Sequence, residues 1–283
     1  MMETWIDILT APDTAFLRRA LWAGLLAAPA FGVTGSYVVA RRLSGMAGSI
    51  AHCILGGIGL ALFLQAREIA PWFTPAVGSL VSALAAALIL GVVSLRSRER
   101  EDTVIGALWA LGMSAGLLFI AHTPGYIDPM RYLFGDILMV SPNQLRGIAA
   151  LDGIILLPAV LLYPRFLAVC FDEEFARVRG LKVEGYYLLL LALAALTIVQ
   201  LVQVVGIVMV IALLTVPAAT AGFFVTRLWQ MMLGATLYCG AAVVAGLLLA
   251  YRLNWPAGPA IILTAGTVYL ALLAVRSLTG NQK

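Results

Sequence analysis

The sequence predicts an all-α polytopic membrane protein with about eight to nine transmembrane helices. Three observations carry this. Only 11% of the 283 residues are charged, 62% are hydrophobic, and the mean hydropathy is +1.00; an ordinary soluble domain is about 25% charged. The apolar residues fall in runs of about 20, the length that crosses a bilayer as a helix. Those runs are apolar all round, whereas the strands of a membrane barrel alternate in polarity.

Residues 1–19 form an amphipathic lead-in. Glu3, Asp7 and Asp13 precede Arg18 and Arg19, the reverse of a signal peptide's basic start. Nine candidate spans follow: Ala20–Ala40, Ser49–Leu64, Pro75–Leu95, Val104–Ala121, Gly147–Val169, Tyr186–Val202, Val204–Val225, Met231–Tyr251 and Pro256–Val275. Short connections join them, so residues 1–283 make one membrane domain and no soluble domain.

Pro29, Pro158 and Pro217 kink the first, fifth and seventh spans, because each removes a backbone donor. Gly56, Gly57 and Gly59 in the second span, Gly112 and Gly116 in the fourth, and Gly240 and Gly246 in the eighth allow close helix packing. Val202–Gly206 offers a tight turn, so the sixth and seventh spans form a helical hairpin with Gln200 and Gln203 at its extracytoplasmic tip.

Two runs hold much of the charge, Arg96–Asp102 and Asp172–Glu184. Alternating loops put both runs on one side, with 12 of the 18 basic residues: Arg41, Arg42, Arg96, Arg98, Arg100, Arg165, Arg177, Arg179, Lys182, Arg227, Arg276 and Lys283. Basic loops mark the cytoplasm. The net charge of +4 reflects arginine anchoring at the lipid interface and no nucleic-acid surface.

His52 lies within the second span, ten residues past Arg42. An ionisable group at that depth points to a path, a ligand site or a proton relay, unless it bonds to a neighbouring helix. Thr215 and Thr220 flank Pro217. This segment either lines a polar path or is a kinked packing helix whose threonines bond their own backbone. Asp136 sits in the long extracytoplasmic loop, facing the mouth of any path, and Asp152 lies one turn into the fifth span, where water at the membrane edge accounts for it.

Phe171–Glu184 predicts a short cytoplasmic helix. Asp172, Glu173 and Glu174 favour its N-terminus, Arg177 and Arg179 its last turn, and Gly180 its end. No phosphate-binding loop, nucleophile elbow or zinc-protease motif is present, so any ATP hydrolysis belongs to another polypeptide. Cys53, Cys170 and Cys239 are far apart and predict buried, inert thiols.

Four segments resemble a known family: Gly35–Ser44 with His52 (GSYVVARRLS…IAHCILGGIGLALFL), Tyr132–Ser141 (YLFGDILMVS), Phe171–Gly180 (FDEEFARVRG) and Val205–Ala221 (VGIVMVIALLTVPAATA). They are similar to the permease subunits of bacterial ATP-binding-cassette importers for zinc, manganese and iron, the ABC-3 family.

The resemblance implies a type II (vitamin B12 importer-like) fold, a homodimer in the bacterial inner membrane, and an extracytoplasmic metal-binding protein as partner. Two cytoplasmic ATPases would grip the loop 171–185 through Asp172, Glu173, Glu174, Phe175, Arg177, Arg179 and Gly180. It makes His52 a transient ligand for the transported divalent ion, with Asp136, Thr215 and Thr220 along the path. Many members carry Asp four residues before the histidine; here that position is Gly48. Two other readings stand beside this one: a permease for a metal chelate such as a siderophore or corrinoid, and a polytopic membrane enzyme using His52 and Asp136.

Overall fold

In the computed structural model, residues 14–96, 100–125, 127–135 and 137–279 are described. Asp136 and residues 1–13 of the lead-in lie outside them. The described chain is helical: α1 (Ala15–Ala40), α2 (Ser44–Ala66), α3 (Pro75–Arg96), α4 (Glu101–Ala121), α5 (Met130–Phe134), a 3-10 turn (Ile137–Met139), α6 (Pro142–Leu161), α7 (Tyr163–Phe171), α8 (Glu173–Val178), α9 (Val183–Ala221), α10 (Leu228–Leu253) and α11 (Ala257–Leu278). Among the described residues nine segments are long and apolar enough to cross a membrane, two of them within α9 (Val183–Val202 and Val204–Ala221). The protein is a multi-pass membrane protein.

The 39 residues of α9 are not one rod. Gly206 has φ 79° and ψ 164°, a conformation essentially confined to glycine. Thr197, nine residues before it, places its hydroxyl 3.1 Å from that of Thr34 on α1. Leu214, eight residues after it, presses its carbonyl against neighbouring Gly35. A straight helix would hold Thr197 and Leu214 roughly 25 Å apart; here both reach the same turn of α1. The chain folds back at Gly206 and forms the predicted hairpin. The bend rests on α5 and Gly135, where a side chain on either glycine would collide with the other's backbone.

The span predicted over Gly147–Val169 differs. It starts earlier, at Pro142, behind a capping box in which Ser141 and Gln144 satisfy each other's backbone N–H groups. It also stops at Leu161. Pro164 opens a separate helix, α7, because proline suits a helix's first turn and not its interior. The Tyr37 hydroxyl donates to the carbonyl of Ala159 at 2.8 Å, satisfying one acceptor that the end of α6 leaves open. α1 begins at Ala15, so residues 15–19 belong to the first spanning helix.

α2 and α4 are stitched together. Gly56 faces the Gly112 carbonyl and Gly59 the Gly116 carbonyl, with no room for a side chain between. Ser49 donates to the Ile105 carbonyl at 3.0 Å and Cys53 to that of Leu108 at 3.2 Å.

Candidate functional site

His52 lies on α2 eight residues from Ser44, roughly 12 Å from the helix's cytoplasmic end. It is buried, and its ring stacks near Trp109 of α4 with centroids 4.3 Å apart. Nδ1 is 2.8 Å from the carbonyl of Gly48. A carbonyl only accepts, so Nδ1 carries the proton and Nε2 keeps its lone pair. That is the tautomer of a metal-ligating imidazole held by a backbone acceptor. Gly48 is buried, yet a side chain added there would meet nothing within 4 Å. The position has room for the carboxylate it lacks. Among the described residues, no three His, Cys, Asp or Glu side chains converge as a resident metal site would require, so His52 has no carboxylate cluster around it.

Thr215 and Thr220 flank the buried Pro217 on the second arm of the hairpin. Thr215 donates to the Ile211 carbonyl at 2.9 Å and Thr220 to that of Val216 at 2.8 Å. Both hydroxyls bond their own helix, as in a kinked packing helix, and Thr220 is buried.

The residues predicted for the cytoplasmic loop come together as a capped helix. Asp172 accepts from the Phe175 N–H at 2.9 Å, and Gly180 turns the chain with φ 77°. The N–H of Leu181 reaches back to the Ala176 carbonyl at 3.0 Å. Arg179 covers the Phe175 ring at 4.7 Å, and Arg177 pairs with Glu184 at 3.1 Å. Ala176 buries itself against Val169 and Val183, so α7, α8 and the start of α9 share a small core. Phe171, Phe175 and Val178 remain exposed. A groove of about 480 Å³ lies between α7 and α8, lined by Pro164, Leu167, Phe171 and Phe175 among others.

Sequence reasoning missed one polar pair. Gln200, expected at the hairpin tip, and Asp152, expected at the membrane edge, meet inside the protein. Both are buried, and the Gln200 amide donates to Asp152 Oδ1 at 2.7 Å and to the Ile148 carbonyl at 3.0 Å. Two polar residues in separate apolar runs were the available signal; the fold-back at Gly206 brings them together.

The model of the ABC 3 transport family matches residues 13–276. An uncharacterized membrane protein of Synechocystis sp. is 42% identical over 281 residues, covering 98% of this chain and 95% of its own. A probable metal transport system membrane protein of Chlamydia trachomatis is 36% identical, covering 98% and 94%. The manganese import system permease protein ScaB of Streptococcus parasanguinis is 29% identical, covering 90% and 89%. The solved structure of PsaBC from Streptococcus pneumoniae in complex with Fab superposes with a TM-score of 0.82 at 30% identity, over 94% of this chain and 93% of the other.

Proposed function

We propose, from the premise that this chain belongs to the ABC 3 transport family, that it is the permease subunit of an importer for a divalent metal ion. The ion is zinc, manganese or iron. The observation that carries the reading is His52: an imidazole inside a spanning helix whose Nδ1–H is fixed on the Gly48 carbonyl, leaving Nε2 as the donor. Relatives named for metal transport and manganese import support it.

The chain itself is a transport subunit and not an enzyme. Two cytoplasmic ATPases supply the work, seated on α8 and the apolar groove beside it through Phe171, Phe175 and Val178. Asp172, Glu173, Glu174, Arg177, Arg179 and Gly180 shape and charge that surface. A second copy of the chain completes the pathway; α4 and α6 leave most of their surface uncovered within one chain, which supports a face for lipid and for that copy. An extracytoplasmic metal-binding protein delivers the ion. Thr215 and Thr220 offer weak oxygen contacts and Pro217 sets the bend of the helix that carries them. Transport needs only contacts weak enough to release, which suits a lone imidazole.

The test is uptake of zinc, manganese and iron by cells expressing the permease with its cognate ATPase and binding protein, comparing wild type with His52→Ala. Loss of uptake of one ion with the complex still assembled is expected. Undiminished uptake in the variant would remove His52 from the path. Uptake of a chelate and of no free ion would overturn the metal-ion reading.

A further inference from the structure

We propose that Trp109 on α4 is a positioning residue for transport. Its indole holds the His52 imidazole in one orientation, with Nε2 open to the passing ion. The proposal deepens the import reading and rests on it for its biological role.

The two rings meet because α2 and α4 run side by side in register. His52 lies eight residues into α2 and Trp109 eight residues into α4, so each stands roughly 12 Å from the cytoplasmic end of its helix. Their sequence neighbours fix that register. Cys53, next to His52, donates to the carbonyl of Leu108, next to Trp109, at 3.2 Å. One turn further along α4, a side chain at Gly112 would collide with the Cys53 backbone. The rings cannot be drawn apart without breaking the helix contact beneath them.

Tryptophans that anchor a span sit at the headgroup level. Trp109 lies deeper, on the level of the imidazole. It is 45% exposed within the chain, whereas His52 is 9% exposed. The indole is the outer ring and the imidazole the inner, covered one. Their centroids are 4.3 Å apart and their planes incline at 31°. A contact of that kind covers a ring face and leaves the ring edge clear.

Two contacts then define the imidazole. The Gly48 carbonyl takes the Nδ1–H at 2.8 Å, and Trp109 takes one face. What remains is Nε2, in the plane of the ring. A ligating histidine depends on such partners for its orientation, and one of them is often a carboxylate. Position 48 carries none. The indole face is electron-rich, so it favours the positive charge that an ion brings to the imidazole. Its quadrupole supplies part of what a carboxylate would supply by its charge.

The experiment compares wild type, Trp109→Phe, Trp109→Leu, Trp109→Met and His52→Ala as permease–ATPase complexes. Monodispersity on size exclusion checks assembly, and Trp109→Met repeats the loss of the aromatic face with a different shape. The first readout is nitrogen NMR of complexes labelled with nitrogen-15 histidine. Subtracting the His52→Ala spectrum leaves the His52 imidazole, whose two nitrogens report which one carries the proton. The second readout is uptake kinetics in cells. Expected is a proton held on Nδ1 in wild type and Trp109→Phe, and a mixture of the two tautomers in Trp109→Leu and Trp109→Met. The uptake KM should rise about tenfold or more in Trp109→Leu and Trp109→Met, with the maximal rate changed less, and stay within about twofold of wild type in Trp109→Phe.

An unchanged imidazole signal and an unchanged KM in Trp109→Leu and Trp109→Met would overturn the proposal. So would equal loss of uptake in all three Trp109 variants with the His52 signal intact, the mark of packing between α2 and α4 and nothing more. Failure of the import reading looks different: uptake would be undiminished in His52→Ala while the His52 signal still depended on Trp109.

Discussion

Arg41, in the turn after α1, forms an ion pair with Glu173, the first residue of α8. Its guanidinium also lies 5.7 Å from the centre of the Tyr187 ring. The Tyr187 hydroxyl is 3.1 Å from Ser94 Oγ, and Ser94 donates to Glu101 Oε1 at 2.5 Å. One polar chain therefore links the short cytoplasmic helix, through the turn between α1 and α2, to α9, α3 and α4. It encloses a cavity of about 420 Å³.

Reversing one charge of the pair is expected to weaken the link, and exchanging both to restore it. Arg41→Glu and Glu173→Arg should each lower the metal uptake obtained per ATP hydrolysed, and the double variant should recover part of it. The two side chains are 26% and 33% exposed, so the coupling is worth about 1 kcal/mol at most, near fivefold in an equilibrium. A double-mutant cycle on thermal stability measures it directly; strictly additive effects would dissolve the link.

Gly48→Asp is expected to fold, because the added side chain enters open space. It places a carboxylate one helical turn from the His52 imidazole. Both the uptake KM and the maximal rate should fall, since an ion held by two ligands leaves more slowly. Uptake kinetics identical to wild type would place position 48 off the path.

Gly206→Ala should damage the protein where Gly147→Ala does not. The alanine must adopt φ 79° and drive its Cβ against Leu133, Phe134 and Gly135. The backbone strain alone costs on the order of 1–3 kcal/mol. Lower yield and a lower melting temperature of the purified complex are the readouts, with Gly147→Ala close to wild type.

Cys170, at the cytoplasmic end of α7, should resist thiol reagents at pH 8. Burial pushes its thiol up to about 11, against a smaller pull from Arg41 in the other direction. The raised value means that the neutral thiol persists until the pH approaches 11, and the thiolate is the reactive form. Maleimide labelling of the folded complex should be slow at pH 8 and fast after denaturation; rapid labelling of the folded protein would contradict the burial of this helix.

Much of the fold was legible in the residues. Apolar runs set the spans, the acidic and basic ends of Asp172–Arg179 set α8 and its cap, and Gly206 set the fold-back. The break after Leu161 was harder to place. Pro158 drew attention as the kink, while the helix ends where Pro164 can open a new first turn. His52 stood out because an imidazole in lipid is costly. Its Nδ1 partner follows from the helix, but the empty space beside Gly48 depends on how neighbouring helices pass.

The Asp152–Gln200 contact was illegible for a different reason. Each residue alone is an isolated polar position in an apolar run. Only the distance across 48 positions of sequence, closed by tertiary packing, makes them a pair.

The glycine-to-carbonyl contacts between α2 and α4 have a mechanical consequence. With Gly56 and Gly59 seated on the backbone of Gly112 and Gly116, and with Ser49 and Cys53 bonded across, neither helix can slide or rotate against the other without breaking contact along most of its length. The pair behaves as a stiff paddle. His52 on one helix and Trp109 on the other are therefore expected to keep their 4.3 Å ring separation in any motion of the pair.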